Sequence, residues 1–87
     1  MVTNQSLVLR SLYWSGKEQK VKEISRDTGL NSSQVHTVIV SLKSMNYIKV
    51  RRELPYWKDG KLHPHLIFVK LVNPQLTEQT LKKRGVI

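Results

Sequence analysis

The stretch from Val21 to Val40 constrains the fold of this chain more than any other part of the sequence. Gly29 lies near its middle, and glycine readily adopts the positive φ with which many helices end. Leu30 follows as an apolar residue in a short turn. Asn31 is then a good helix N-cap, and with Gln34 it approximates a capping box. These signals predict two helices joined by a tight turn.

The second of these two helices contains the β-branched run Val-His-Thr-Val-Ile-Val, which by composition alone could form a strand. The apolar residues in this part of the chain nevertheless recur at spacings of three and four rather than two. They are Val35, Val38, Ile39, Leu42 and Met45. We therefore expect a helix with these five residues on its buried face.

A β-hairpin is predicted after this helix. Residues 47–54 alternate apolar and charged side chains, residues 66–72 form a second apolar run, and Asp59-Gly60 between them is a strong two-residue turn signal. Pairing about that turn places Val50 opposite Val69 and Ile48 opposite Leu71, so the turn and the apolar pattern agree on one register. Pro55 and Pro64 should interrupt the ladder near its tip.

Helices are also predicted at both ends of the chain. The first covers Asn4 to Trp14 and ends at Gly16. The last has Asn73 as N-cap, Pro74 in its first turn and Gly85 at its end. The expected fold class is therefore α+β.

This order of elements resembles the winged helix-turn-helix family of DNA-binding domains, and in particular small prokaryotic or viral regulators of the MarR and ArsR type. The resemblance covers about residues 5–72, and its best motif runs from Glu23-Ile24-Ser25 through Thr28-Gly29-Leu30. It implies one winged-helix domain over 1–87, with a three-helix body and a β-hairpin wing. The helix-turn-helix would occupy about 20–45, the wing about 47–72 and a C-terminal helix about 74–84. It also implies that the third helix enters the major groove of double-stranded DNA.

The charge of the chain favours the same kind of partner. Fifteen Lys and Arg face six Asp and Glu, which gives a net charge of +9 at pH 7. Such a field attracts a polyanion. No run is apolar enough to span a membrane, and no basic amphipathic helix stands apart from the fold, so no membrane partner is expected.

The predicted contacts fall into two sets. The first set consists of short polar side chains on the exposed face of the third helix, which suit base edges and phosphates. Its members are Ser32, Ser33, His36, Thr37 and Ser41. Without an Arg or Asn in mid-helix, this face has no bidentate base reader, so we expect modest sequence discrimination.

The second set consists of the basic residues of the hairpin, which we expect to contact phosphates. Its members are Lys49, Arg51, Arg52, Lys58, Lys61 and Lys70. Of the neighbouring aromatic residues, Trp57 is expected to pack the hairpin onto the body. Trp14 is expected in the core or in a dimer contact.

Catalysis and metal binding are not expected. His63 and His65 are spaced as two metal ligands on a strand could be, but the chain has no cysteine and no third ligand nearby. No nucleophile–base pair or phosphate-binding glycine loop is present. We therefore expect no enzyme, no cofactor and no metal.

The sequence thus predicts a DNA-binding transcriptional regulator. A module of a replication, recombination or RNA-handling complex and a protein-interaction domain remain alternatives, because winged helices serve those functions too. A homodimer is expected, held by the first helix and the last. In the last helix and after it, Leu76, Leu81 and residues 86–87 are expected to have little of their own domain to cover. The N-terminus lacks a signal-peptide pattern, which predicts a cytoplasmic protein, or one in the host-cell cytoplasm if it is viral.

Overall fold

A computed structural model of the chain describes residues 3–53, 55–63 and 66–87. These residues form an α+β fold with four helices and two small antiparallel ladders. The helices are α1 (Asn4–Ser15), α2 (Val21–Thr28), α3 (Ser32–Ser44) and α4 (Pro74–Lys83). The strands are β1 (Gln19–Lys20), β2 (Ile48–Glu53), β3 (Tyr56–Lys58), β4 (Lys61–His63) and β5 (Leu66–Leu71).

The turn between α2 and α3 forms as predicted, and side-chain hydroxyls fix it in place. Gly29 has a φ of 77°, and its N–H donates to the carbonyl of Ser25 at 3.0 Å. The hydroxyl of Ser25 in turn donates to the carbonyl of Leu30. The hydroxyl of Thr28 donates to the carbonyl of Ile24 and accepts from the N–H of Leu30. The polar backbone groups of the turn are therefore bonded locally, which holds α2 and α3 in one relative orientation.

The helical prediction for the β-branched run is confirmed. Asn31 caps α3, and both hydrogen bonds of the capping box with Gln34 are present. The helix buries Val35, Val38, Ile39 and Leu42. Met45 was expected on this face, but it is 43% exposed because the chain leaves the helix at this residue, which is the C-cap.

A three-stranded antiparallel sheet lies beside α3, in the order β1-β5-β2. The predicted register is confirmed, with Val50 opposite Val69 and Ile48 opposite Leu71. The strand β1 was not predicted. It has two residues, of which Gln19 pairs with Val69, and so short a strand carries no alternation pattern.

The tip of the hairpin is the separate ladder of β3 and β4. Asp59 and Gly60 have φ of 53° and 72°, which are the two positive φ values of a type I′ turn, and Lys58 lies opposite Lys61. The ladder of β2 and β5 ends before Pro55, so the predicted interruption is seen on this strand. The expectations for Leu54, Pro64 and His65 concern positions outside the described residues.

The helix α1 is the centre of the core, since it packs against α2, α3 and α4. It buries Val8, Leu9 and Leu12, and each such side chain removed from water stabilises the fold by about 1.5–3 kcal/mol. The side chain of Leu81 on α4 is fully buried in the same core. The expectation that Leu81 has little of its own domain to cover is therefore wrong. Its burial also explains how α4 is held against the body.

None of the helices in the described ranges is both long enough and apolar enough to cross a lipid bilayer.

Candidate nucleic-acid interface

A groove of about 380 Å³ separates the exposed side of α3 from the neighbouring face of the sheet. The wall on α3 is formed by His36, Val40, Lys43 and Ser44, at the spacing of successive helical turns. The opposite wall is formed by the sheet residues Val50, Arg52 and Ile67. The groove thus combines an exposed helix face with one face of the sheet.

A second recess continues this groove towards the start of α2. It is lined by Lys20, Lys22 and Ser32, together with His36 and residues 66–67. The imidazole of His36 belongs to both recesses and therefore lies where they meet. A ligand that follows the two recesses passes over this side chain.

The charge along this surface is of one sign. Lys22, Lys43 and Arg52 line the two recesses, and no acid is found among the described residues that line them. Lys20 also lines the second recess, but its ammonium lies 5.9 Å from the ring centroid of Phe68, on the face of the sheet that carries Arg51. Arg52 is exposed and forms no ion pair with any described residue. Uncompensated cations along a groove raise the local concentration of an anionic partner.

Four of the five predicted contact residues of α3 are exposed: Ser32, Ser33, His36 and Thr37. The hydroxyl of Thr37 donates to the carbonyl of Ser33 at 3.0 Å, so towards a ligand it offers its acceptor lone pairs and its methyl group. Ser41 is half-buried, and its hydroxyl accepts a hydrogen bond of 3.0 Å from the amide nitrogen of Gln5 on α1. Ser41 therefore lies on the side of α3 that meets α1.

The six predicted basic residues of the wing do not share one surface. Because side chains alternate along a strand, Arg52 lies on the face of Val50 and Ile67, which adjoins α3. Residues 49 and 51 of β2, and residue 70 of β5, lie on the other face. Lys58 and Lys61 are exposed opposite each other at the tip.

Arg51 is held by acids of the protein itself. Its guanidinium lies 2.7 Å from a carboxylate oxygen of Glu18 and 2.8 Å from one of Glu53, and it stacks 4.2 Å from the ring centroid of Phe68. The hydrogen bond from Arg51 lowers the pKa of Glu18, while the two carboxylates raise the pKa of Arg51. The positive charge at this position is thus compensated, unlike that of Arg52 beside it.

Three cations of the groove were not among the predicted contacts: Lys20, Lys22 and Lys43. Helical spacing from His36 would have found Lys43, which is seven residues further along the same face of α3. The place of Lys20 depends on the short strand β1, which pairs with β5 and has no recognisable pattern in the sequence. Lys22 follows in the first turn of α2.

The structure places both tryptophans at the surface of the described chain. Trp57 does not pack onto the body, since 73% of its surface is exposed, and Leu62 opposite it on β4 is 57% exposed. Of the two places expected for Trp14, the core is wrong: the side chain is 66% exposed, with the guanidinium of Arg10 at 4.9 Å from its ring centroid. A dimer contact of Trp14 stays a prediction.

The predicted absence of a metal site remains a prediction for the histidine pair, because the side chains of His63 and His65 lie outside the described part of the structure. Elsewhere in the described chain, no three His, Asp or Glu side chains come together in a way that could hold a metal ion.

Comparison of this chain with protein families, with curated proteins and with solved structures finds no match.

Proposed function

We propose that the chain is a winged helix-turn-helix domain that binds double-stranded DNA and regulates transcription. The observation that carries the proposal is the pair of recesses beside α3, where Lys22, Lys43 and Arg52 lie along an exposed helix face and no described lining residue is acidic. In this arrangement α3 enters the major groove and the wing, formed by β2 to β5, follows the phosphate backbone.

The dimensions of α3 suit this role. Thirteen helical residues span about 20 Å, and the major groove of B-DNA is wide enough to admit a helix. The exposed face offers hydroxyls, one imidazole and the side chain of Val40, which is 70% exposed and could contact a thymine methyl group. Phosphate contacts therefore supply most of the affinity, and base contacts supply a modest preference.

The test is binding to labelled duplex DNA, duplex RNA and single-stranded DNA of one sequence, measured by fluorescence anisotropy across a salt series. Six exposed cations line the groove or the tip of the wing: Lys20, Lys22, Lys43, Arg52, Lys58 and Lys61. If four to six of them each neutralise one phosphate, log K falls with log salt at a slope of about −4 to −5 per protomer. Duplex DNA should bind tightest.

A pair of double variants of equal charge makes this test specific. Replacement of Lys58 and Lys61 by Ala should flatten the salt slope by up to about two and weaken binding on all sequences alike. Replacement of Lys82 and Lys83 by Ala removes the same charge from α4. These two lysines line neither recess, so the salt slope should stay nearly unchanged. A slope near zero would favour a protein-interaction domain, and preference for RNA or single strands would favour a module of another nucleic-acid complex.

The homodimer is part of the same proposal. With Leu81 buried, the exposed apolar side chains of the two terminal helices are Trp14 and Leu76, and Ile87 at the chain end is 38% exposed. Two copies related by symmetry would double the base contacts and favour palindromic sites. A monomer mass by sedimentation at tens of micromolar protein, with and without DNA, would refute the dimer and leave DNA binding by one copy intact.

A further inference from the structure

The tip of the wing carries an apolar pair that no part of the described body covers. Trp57 on β3 and Leu62 on β4 lie directly opposite each other, with 73% and 57% of their surfaces exposed. The molecule measures 49 Å along its longest axis and 23 and 21 Å along the other two. The type I′ turn at Asp59-Gly60 keeps the two strands paired out to the tip.

The charge around this pair indicates which kind of surface covers it. Lys58 and Lys61 are the next residues on the two strands, and they lie on the opposite face of the ribbon from the apolar pair. Asp59 in the turn is the nearest acid in sequence, so lysines outnumber acids at the tip. An apolar partner surface on another protein would not need two cations beside it, whereas nucleic acid offers apolar base faces next to phosphates.

We propose that the wing tip is a wedge in which Trp57, supported by Leu62, stacks on the bases of DNA while Lys58 and Lys61 contact the flanking phosphates. Apolar side chains that enter a base step unstack it, and indole rings stack well on bases. Opening a step costs least where a base is unpaired or weakly stacked. The protein therefore prefers duplexes that contain such a step. This inference rests on the proposed DNA binding.

The experiment uses Trp57 as its own probe. The chain has two tryptophans, so in a Trp14→Phe protein the fluorescence of Trp57 is observed alone. This protein is titrated with a fully paired duplex and with the same duplex carrying a single-base bulge, while the affinity is followed in parallel by anisotropy. We expect quenching of Trp57 on binding, protection from iodide, and affinity for the bulged duplex about tenfold higher than for the paired one.

Variants then distinguish two roles of the Trp57–Leu62 pair: insertion between bases, or stabilisation of the hairpin alone. Trp57→Ala should abolish the preference for the bulged duplex. Binding to the paired duplex should remain, because the cations of the protein mediate it. Trp57→Phe should keep part of the preference, and Leu62→Ala should reduce it. The matched control is Trp14→Ala, which removes the other exposed indole. Any loss of the proposed dimer contact affects both duplexes alike, so the ratio of the two affinities should stay unchanged.

Each failure has a different meaning. Tight duplex binding without quenching of Trp57, or with equal affinity for bulged and paired duplexes, would overturn the wedge and leave the proposed function standing. No binding to any duplex would overturn both. Quenching that follows protein concentration without DNA would show that a second copy covers the tip, and it too would overturn the wedge. If Trp57→Ala is unfolded by circular dichroism, the quenching and iodide results in the Trp14→Phe protein decide the question.

Discussion

Arg51 and Arg52 are neighbours in sequence, and the structure predicts opposite outcomes when each is changed to Gln. Arg52 is exposed on the face of the sheet that adjoins α3, and it forms no ion pair with a described residue. Arg51 points to the other face and is paired with Glu18 and Glu53. Both substitutions remove one positive charge and keep a polar side chain, so each is the matched control of the other.

The size of the expected difference follows from counterion release. A cation that neutralises one phosphate contributes about 0.9 to the slope of log K against log salt. Arg52→Gln should therefore flatten the slope by about 0.9 and weaken binding roughly eightfold at 0.1 M monovalent salt. Arg51→Gln should change the slope little, because two carboxylates already compensate its charge. It should instead lower the melting temperature, since it leaves Glu18 and Glu53 without their partner.

The assay is anisotropy with one duplex at several salt concentrations for the wild type and both variants, with thermal unfolding followed by circular dichroism. The reasoning would be refuted by equal changes of slope in the two variants, or by a larger change for Arg51→Gln. Equal changes would mean that both faces of the sheet contact the DNA backbone, and a larger change for Arg51→Gln would mean that the outer face does so instead of the groove beside α3.

Three further outcomes are expected. Replacement of His36 or Thr37 by Ala should weaken binding to a selected DNA site by about 1–3 kcal/mol per lost base contact without changing the salt slope. Equal binding of the wild type and both variants in a competition assay would show that α3 does not contact the bases. Gly29→Ala should destabilise the fold by about 1–2 kcal/mol, because Gly29 has a φ of 77°, which an L residue adopts only with strain. The added Cβ would meet no atom within 4 Å, so the cost comes from the backbone and not from a clash. An unchanged midpoint of chemical denaturation would contradict this argument. The stabilising effect of Glu18 should be full above its ordinary pKa of 4.5 and be lost as the pH falls through its lowered pKa in the folded state. The melting temperatures of the wild type and Glu18→Gln should therefore converge in acid. A difference in melting temperature that persists in acid would show that the charge of Glu18 does not stabilise the fold.

The sequence by itself determined the elements whose signals are local. Gly29 and the Asn31–Gln34 capping box specify the turn between α2 and α3, because the atoms that form these bonds lie within a few residues of each other. Asp59-Gly60 and the alternation on either side specify the hairpin and its register, since only one pairing satisfies both the turn and the apolar face. The exposed side of α3 followed from helical spacing.

Tertiary structure decided what depends on residues far apart in the chain. The pairing of β1 with β5 joins residues about fifty positions apart, and it brings Lys20 to the groove and Glu18 to Arg51. A two-residue strand has no periodicity, so its place is set by the hydrogen bonds that β5 offers and not by its own sequence. The exposure of Trp57 likewise depends on how far the hairpin extends beyond the body. Local chemistry therefore fixed the elements of this protein, whereas long-range pairing fixed which of its charges remain uncompensated.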